Sequence, residues 1–368
     1  MLTSINERCG IAHYSNDLCA GFGPEVEVET VPVYSGREPW PQYIAQSSEK
    51  LNKCNVIHIQ HDYAFWESIL PGKNKYFKHM KNTQRPKIIT AHTLDTVPGM
   101  FAASDSAGMA KLIKNILKNI PSYCLAIECG TFNIADRIIV HDNPAKRILT
   151  GRGISERKIK VIPMGVPEPT AYEGEGNYFR DKYDLYGKRL IVIFGFVRPG
   201  RGYETALDIL PELDKDTMLV IAGGTRDMSM DWYLTSLHDT IRSQNLMERT
   251  LITGYLNDAD AGALMQTANL VLCSQEKGTG SYSVQFALGY GKPIVASDLP
   301  CFKDLELSYR CLTTCKTGSR ASLLATIKPL LQDADAAGKL AKAASVYAAN
   351  HTWQKIASMT ENLYREFA

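Results

Sequence analysis

The feature that most constrains the fold is the run from Ala268 to Ser297. An apolar strand pattern, Ala268-Asn-Leu-Val-Leu-Cys-Ser274, leads into Gln275 and Glu276. A loop holding Gly278 and Gly280 follows, then two serines and a helical stretch ending at Gly291, and Lys292-Pro-Ile-Val-Ala-Ser297 begins the next strand at once. Strand, glycine loop, helix and strand make one βαβ unit, the building block of a parallel sheet. Glycines let backbone N–H groups come close to a ligand, and the amides that open a helix carry the positive end of its dipole. The stretch from Glu276 to Ser283 is therefore expected to receive an anion such as a phosphate.

The same alternation occurs twice along the chain. In the first half, strands are expected at Met1–Ile5, Val26–Val33, Asn55–Gln60, Pro86–His92, Arg137–His141 and Lys158–Pro163, with helical spacing between them. The pattern lapses from Gly165 to Lys188, where Pro167, Pro169, Gly174 and Gly176 predict a linker. A second alternation then runs through Leu190–Phe194, Met218–Ala222, Thr250–Thr253, Ala268–Ser274 and Pro293–Ser297. The expected fold class is α/β, two Rossmann-like doubly wound domains with a cleft between them. The expected division is 1–165, a linker at 166–188, a second domain at 189–345 and a closing helix at 346–368. Open α/β sheets bind ligands beyond the carboxyl ends of their strands. The chain's polar oddities fall there repeatedly: Gly10, His61 and Asp62, His92, His141, Arg198 and Arg201, Gly223 and Gly224, and Glu276.

A length of 368 residues suits two domains, and 45% hydrophobic with 22% charged residues is an ordinary globular composition. A formal charge of +2 gives no reason to expect a nucleic-acid partner. The nine cysteines show no paired CxxC spacing, so reduced thiols in a cytoplasmic protein are expected. Neither a secretory leader nor a membrane-spanning run is expected from the hydropathy pattern.

Four stretches together resemble the GT-B glycosyltransferases, and within them the retaining family-four type (glycosyl transferases group 1). Cys9-Gly-Ile-Ala-His-Tyr14 is similar to that family's N-terminal glycine loop. Phe194-Gly-Phe-Val-Arg-Pro-Gly-Arg-Gly202 is similar to its phosphate-binding loop, with Arg201 in the usual lysine position. Leu219-Val-Ile-Ala-Gly-Gly224 resembles the next strand and turn, and Glu276 to Ser297 the signature loop and helix. His58-Ile-Gln-His-Asp62 and Ala91-His-Thr93 also resemble segments of a subgroup. Two positions depart from the pattern: Phe286 stands where a ribose-holding Glu is usual, and Phe196 where many members carry an Arg.

The resemblance implies transfer of a sugar from a nucleotide-diphosphate sugar to an acceptor hydroxyl, on a saccharide or lipid-linked saccharide, with retention. Guanidinium groups stay charged and pair well with phosphate oxygens, so Arg198 and Arg201 are expected to meet the charge growing on the leaving diphosphate. Glu276 is expected to accept hydrogen bonds from the donor sugar's hydroxyls, with Gln275 as the alternative holder of that place. His92 is expected to bond the transferred sugar or shuttle a proton. Gly10, Gly223, Tyr255, Gly278, Thr279, Gly280 and Ser281 are expected around the donor, and His61 and Asp62 at the acceptor. In an inverting enzyme Asp62 would be the best carboxylate to activate the acceptor. No Asp-x-Asp cluster is read as a metal-ligand set in either half, so no metal and no cofactor beyond the donor co-substrate are expected.

Basic residues cluster between Lys73 and Lys118, with Lys111, Lys114 and Lys118 on one helical face. Such a helix can lie on an anionic membrane surface, giving peripheral attachment at the inner face, or be a solvated face over a packed one. Competing functions are a GT-B-like phosphorylase or epimerase, and a catalytically silent subunit that keeps the fold, to which Phe286 points. A nicotinamide dehydrogenase is disfavoured, because no G-x-G-x-x-G follows a first strand with an acid about 20 residues on.

Overall fold

The computed structural model describes residues 1–5, 9–34, 37–62, 65, 79–94, 120–170, 178–225 and 230–367. It divides into two compact units: Met1–Gly165 with Trp353–Ala368, and Val166–Thr352.

In the first unit six strands pair in parallel: β1 (Leu2–Thr3), β2 (Val31–Pro32), β3 (Ile57–His61), β4 (Lys87–Ala91), β5 (Arg137–Val140) and β6 (Ile159–Val161). Their order is β2-β1-β3-β4-β5-β6. A parallel sheet is covered on both faces, which is why its strands read as nearly continuous apolar runs. Side chains alternate between the faces. Ile57, Ile59, Ile89 and Ile138 enter one core with Phe132. Ile88 and Ile139 enter the other with Tyr14, Leu18 and Trp353. The helix Trp353–Tyr364 adds Trp353, Ile356 and Leu363 to that second core. At about 1.5–3 kcal/mol for each buried side chain, this burial holds a segment so distant in sequence to the first unit. The approach is close: a Cβ on Gly165 would lie 2.3 Å from the Trp353 ring, and one on Gly21 2.6 Å from its carbonyl oxygen.

In the second unit another six strands pair in parallel: β7 (Arg189–Phe194), β8 (Thr217–Ala222), β9 (Thr250–Ile252), β10 (Leu270–Cys273), β11 (Ile294–Ser297) and β12 (Thr313–Cys315). The order is β12-β11-β10-β7-β8-β9. The order reverses between β7 and β10, with β7 the first strand of the unit. Ligands of open α/β sheets settle at such a switch point.

Three expectations are corrected. The alternating segment Val26–Val33 is a strand only at Val31–Pro32. Among the described residues it pairs with a two-residue β1, through Val31 N–H to the Met1 carbonyl at 2.8 Å and Val33 N–H to the Thr3 carbonyl at 2.9 Å. The segment expected as a linker is partly core: a helix at Tyr178–Tyr183 buries Phe179 completely, and Leu185 packs with it in the second unit. Residues 171–177 lie outside the described ones. A closing helix from 346 is two elements instead. One helix of the second unit ends at Asn350, and Trp353–Tyr364 belongs to the first.

Candidate functional site

The candidate anion site of the second unit is built where β7, β8 and β10 end. Beyond Phe194 the chain turns at Gly195, whose φ of +116° suits glycine. Gly195 N–H donates to the Ala222 carbonyl and Val197 N–H to the Gly224 carbonyl, both at 2.9 Å, so the loop after β7 is laid along the end of β8. Gly223 permits this, because a Cβ there would sit 2.0 Å from the Gly195 carbonyl oxygen. The loop returns at Gly200 and Gly202, with φ of +74° and +78°.

Arg201 folds back over that loop. Its Nη2 donates to the Phe194 carbonyl at 2.5 Å, and its Nη1 to Gln275 Oε1 at 3.4 Å. A Cβ on Gly195 would meet Arg201 Nη2 at 2.8 Å and Ser283 Oγ at 3.0 Å, so a guanidinium and a helix-start hydroxyl converge over one glycine. Glu276 N–H donates to the Gly200 carbonyl at 2.9 Å, and Ser274 Oγ to the Arg201 carbonyl at 3.1 Å, which ties the end of β10 to the same loop. Glu276 is exposed, and its Oε2 would lie 3.6 Å from a Cβ on Gly200. Gln275 is buried beneath, so of the two alternatives for the sugar-facing place only Glu276 has an open side chain.

The helix Tyr282–Gly289 has Ser281 as its N-cap, without a capping side-chain bond and without an acid in its first turn. Its positive end therefore meets no carboxylate of its own. Gly278, at φ +142°, Thr279 and Gly280 are half-buried in the loop before it. Arg198 is exposed on the β7 loop, where its charge acts on the Tyr203 hydroxyl. Tyr255 is exposed beyond β9, with its N–H 3.3 Å from where a Cβ on Gly224 would be. Phe286 stacks on Phe194 with ring centroids 5.0 Å apart and planes 22° apart.

In the first unit, His92 follows β4 and is half-buried. Its Nε2 is 2.8 Å from Gln60 Oε1, and its ring meets Tyr14 edge-on at 4.7 Å and His141 at 5.4 Å. Burial first, then the neighbouring His141, His58 and His61, hold the His92 imidazole well below the ordinary histidine range, so it is neutral. His141 Nδ1–H donates to the Ile162 carbonyl at 3.1 Å, its Nε2 is buried without a hydrogen-bond partner among the described residues, and burial pulls its pKa down to about 4. Asp62 Oδ2 accepts from Thr93 Oγ1 at 2.8 Å. Gly10 opens the helix Gly10–Gly21, with nothing among the described residues beyond its own helix and chain neighbours within 4 Å of a Cβ placed on it.

His61, expected at the acceptor, has no exposed surface and packs against Phe132 at 5.4 Å. It lies on the opposite face of β3 from Gln60, because neighbouring strand residues alternate. Gln60, His141 and Ser283 join the two clusters although none was assigned a role. Their signal was present in the strand-end run Gln60-His-Asp62, the strand-end His141 and the paired serines at the helix start. Among the described residues, no three His, Cys, Asp or Glu side chains gather to hold a metal ion.

A family model for glycosyltransferase family 4 matches residues 12–168, and one for glycosyl transferases group 1 matches residues 178–348. The chain belongs to the GT-B glycosyltransferases. Curated relatives include a phosphatidyl-myo-inositol mannosyltransferase of Mycobacterium leprae, 25% identical over 193 residues, which is 50% of this chain and 48% of that protein. A glycogen synthase of Mycobacterium tuberculosis is 27% identical over 184 residues, 48% of this chain and 42% of that one. The chain thus spans about half the length of the curated relatives it matches. Among solved structures, Anabaena HepE in complex with UDP-glucose has a TM-score of 0.70 at 19% identity, covering 92% of this chain and 85% of that one. Sucrose-phosphate synthase from Thermosynechococcus elongatus has a TM-score of 0.72 at 15% identity, covering 96% and 92%. At these identities the structural likeness concerns the GT-B fold.

Proposed function

We propose that this chain transfers a hexosyl group from a nucleotide-diphosphate sugar to a hydroxyl of a saccharide or lipid-linked saccharide, with retention of anomeric configuration, as a step in building a polysaccharide. The observation that carries this is the convergence of Arg201 and Ser283 over Gly195, beside the exposed Glu276. Arg201 is anchored on the Phe194 carbonyl, Gln275 and the Tyr203 hydroxyl, so its guanidinium presents a fixed, permanently charged fork to phosphate oxygens. As the glycosidic bond breaks, negative charge grows on the β-phosphate. Arg201 and the helix start stabilise that charge more than they stabilise the bound donor. Glu276 accepts hydrogen bonds from the sugar, and the departing phosphate takes the acceptor's proton. His92 completes the sugar contacts. No metal and no further cofactor are needed in this scheme.

The HepE structures hold UDP, and one of them UDP-glucose, which puts UDP first in a nucleotide screen. A ligand that binds only the folded form raises its melting temperature. UDP, GDP, ADP or CMP should do so, and the wild-type product should keep the donor's anomeric configuration by NMR. Inversion would remove retention and bring Asp62 forward. Turnover of a glycoside with inorganic phosphate and no nucleotide would instead make the protein a phosphorylase.

Phe286, stacked on Phe194, favours a second reading, a silent subunit that binds nucleotide without transfer. Nucleotide-induced stabilisation without turnover against any saccharide acceptor would favour it. For a lipid-linked acceptor, the chain would work in the cytoplasm at the inner membrane face. Among the described residues no helix is long and apolar enough to cross a membrane. The basic segment Lys73–Lys118 lies mostly outside the described residues. Of its described members, Arg85 and Lys87 donate to the carbonyls of Asn52, Thr83 and Arg85. Co-sedimentation with anionic vesicles at low salt tests this docking, and a protein left in the supernatant excludes it.

A further inference from the structure

We propose that a cavity on the second unit, between the ends of the helices Pro300–Tyr309 and Ala334–Asn350, binds a saccharide that carries carboxylate groups. It shares no residue with the candidate anion site around Arg201 and does not rest on the transfer proposed above.

The sequence lays out one wall as a stripe. Lys339, Lys342, Val346 and Asn350 recur three or four residues apart, so they share one face of their helix. The other wall is the end of Pro300–Tyr309, where Arg310 takes a φ of +55° and turns the chain. The cavity they line has a volume of about 520 Å³, within the roughly 300–1,000 Å³ of small-molecule sites. Its floor is aromatic. Tyr347 and His351 stack with ring centroids 3.9 Å apart, and Tyr309 stands nearly perpendicular to both at 4.9 and 5.2 Å. His351 Nδ1–H donates to the Tyr347 carbonyl at 2.8 Å, which anchors the stack. Tyr347 and His351 are buried, whereas Tyr309 is 44% and Val346 55% exposed, so the apolar surface open to a ligand is theirs.

Arg310, Lys339 and Lys342 are exposed around this floor. Among the described residues none of the three forms an ion pair. The acids of the two helices do not neutralise them at contact. Glu306 accepts from the Thr313 and Thr314 hydroxyls at 3.1 and 2.6 Å and from the Thr314 N–H at 2.8 Å. Asp304 and Asp335 join no ion pair among the described residues. Three cations around an aromatic floor fit a ligand with anionic groups and one apolar face. A pyranose ring has such a face in its C–H groups, with hydroxyls around its rim. Uronic-acid units add carboxylates, which guanidinium and ammonium groups meet with charge-assisted hydrogen bonds. Asn350 Nδ2 donates to the Val346 carbonyl at 3.0 Å, which leaves Oδ1 to accept from a sugar hydroxyl. A nucleobase would bury both of its faces, and Tyr309 offers only one open ring. A lipid surface is flat and would leave the concave floor unfilled.

The test is calorimetric titration of the full chain with trigalacturonate at low ionic strength, and with maltotriose as the neutral chain of equal length. Trigalacturonate should bind roughly tenfold more tightly than maltotriose, and added salt should weaken it. Arg310→Gly removes the guanidinium at a backbone conformation that glycine adopts freely, so this variant should melt close to wild type. It should lower trigalacturonate affinity roughly threefold to tenfold, and the exposed pair Lys339→Gln with Lys342→Gln should do the same. Tyr309→Ala should weaken both saccharides, since it removes the open ring. Equal affinity for maltotriose, or wild-type affinity in both charge variants, overturns the proposal. Displacement of trigalacturonate by UDP would place it in the donor site and overturn it too. So would displacement by sulfate at matched ionic strength, the mark of an unspecific anion patch, or by phosphatidylglycerol vesicles, the mark of a lipid-docking face.

Discussion

Arg201→Lys keeps the charge and removes the fork. In the structure Arg201 uses Nη2 to hold the Phe194 carbonyl and Nη1 to reach Gln275, with the Tyr203 hydroxyl a further partner, so its charge sits on a planar, anchored group. A lysine has one nitrogen. Held at Phe194 it cannot also present a fixed pair of donors to a phosphate, and released from Phe194 it is no longer positioned. One charge-assisted hydrogen bond is therefore lost in the transition state, worth about 1.5–3 kcal/mol, or roughly ten- to a hundredfold in rate. Partial exposure of the side chain favours the lower part of that range. Arg201→Ala also loses the charge, and should cost on the order of a hundred- to a thousandfold, as for other preorganised donors at a developing anion. Because that charge develops only as the bond breaks, the loss should appear in kcat with donor KM little changed. Initial rates across donor concentration, with acceptor saturating, separate the two constants. A lysine variant with wild-type kcat, or a defect confined to KM, would refute the role derived for the fork.

Gly223→Ala would put a Cβ 2.0 Å from the backbone oxygen of Gly195, which no rotamer change can relieve. It should destabilise the second unit by about 1–3 kcal/mol, seen in chemical denaturation, and lower kcat by shifting the loop under Arg201. Unchanged stability would show that the β7 loop is not seated on β8 as described. Acid should weaken the first unit. Burial draws His58 to about 3 and His79 and His141 to about 4, against about 6.5 in an unfolded chain. Between those values the unfolded chain binds more protons, so stability is full above about pH 6.5 and falls as pH drops toward 4. Melting temperatures across that window should decline, and more shallowly in His58→Gln; a flat profile for the wild type would contradict the burial of these rings.

Much of the fold was legible because burial on both faces of a parallel sheet leaves an unmistakable mark. Runs such as Leu190–Phe194 and Met218–Ala222 hold almost nothing but apolar residues, and the helices between them repeat with a different period. The alternation at Val26–Val33 misled because a strand exists only where a neighbour offers a ladder, and β1 offers two residues. The proline and glycine spacing of 166–188 obscured Phe179 and Leu185, whose burial depends on partners in the second unit far along the chain. At the candidate site, the glycines and Arg201 are read from strand-end position and from the family resemblance. His61 is expected at the site from its strand-end position, whereas strand pleating sends His61 into the core and Gln60 towards His92.

By itself, then, the sequence determined two parallel α/β halves, the glycine-rich turns at the strand ends, and membership of the GT-B glycosyltransferases, since each rests on local pattern and spacing. Only the tertiary structure decided that Arg201 is held by Phe194 and Gln275, that Glu276 and not Gln275 is open, and that Gln60 reaches His92 from the neighbouring strand. Those facts arise from groups far apart in the chain meeting at hydrogen-bond distance. No linear period encodes such a meeting; packing of the sheets brings it about.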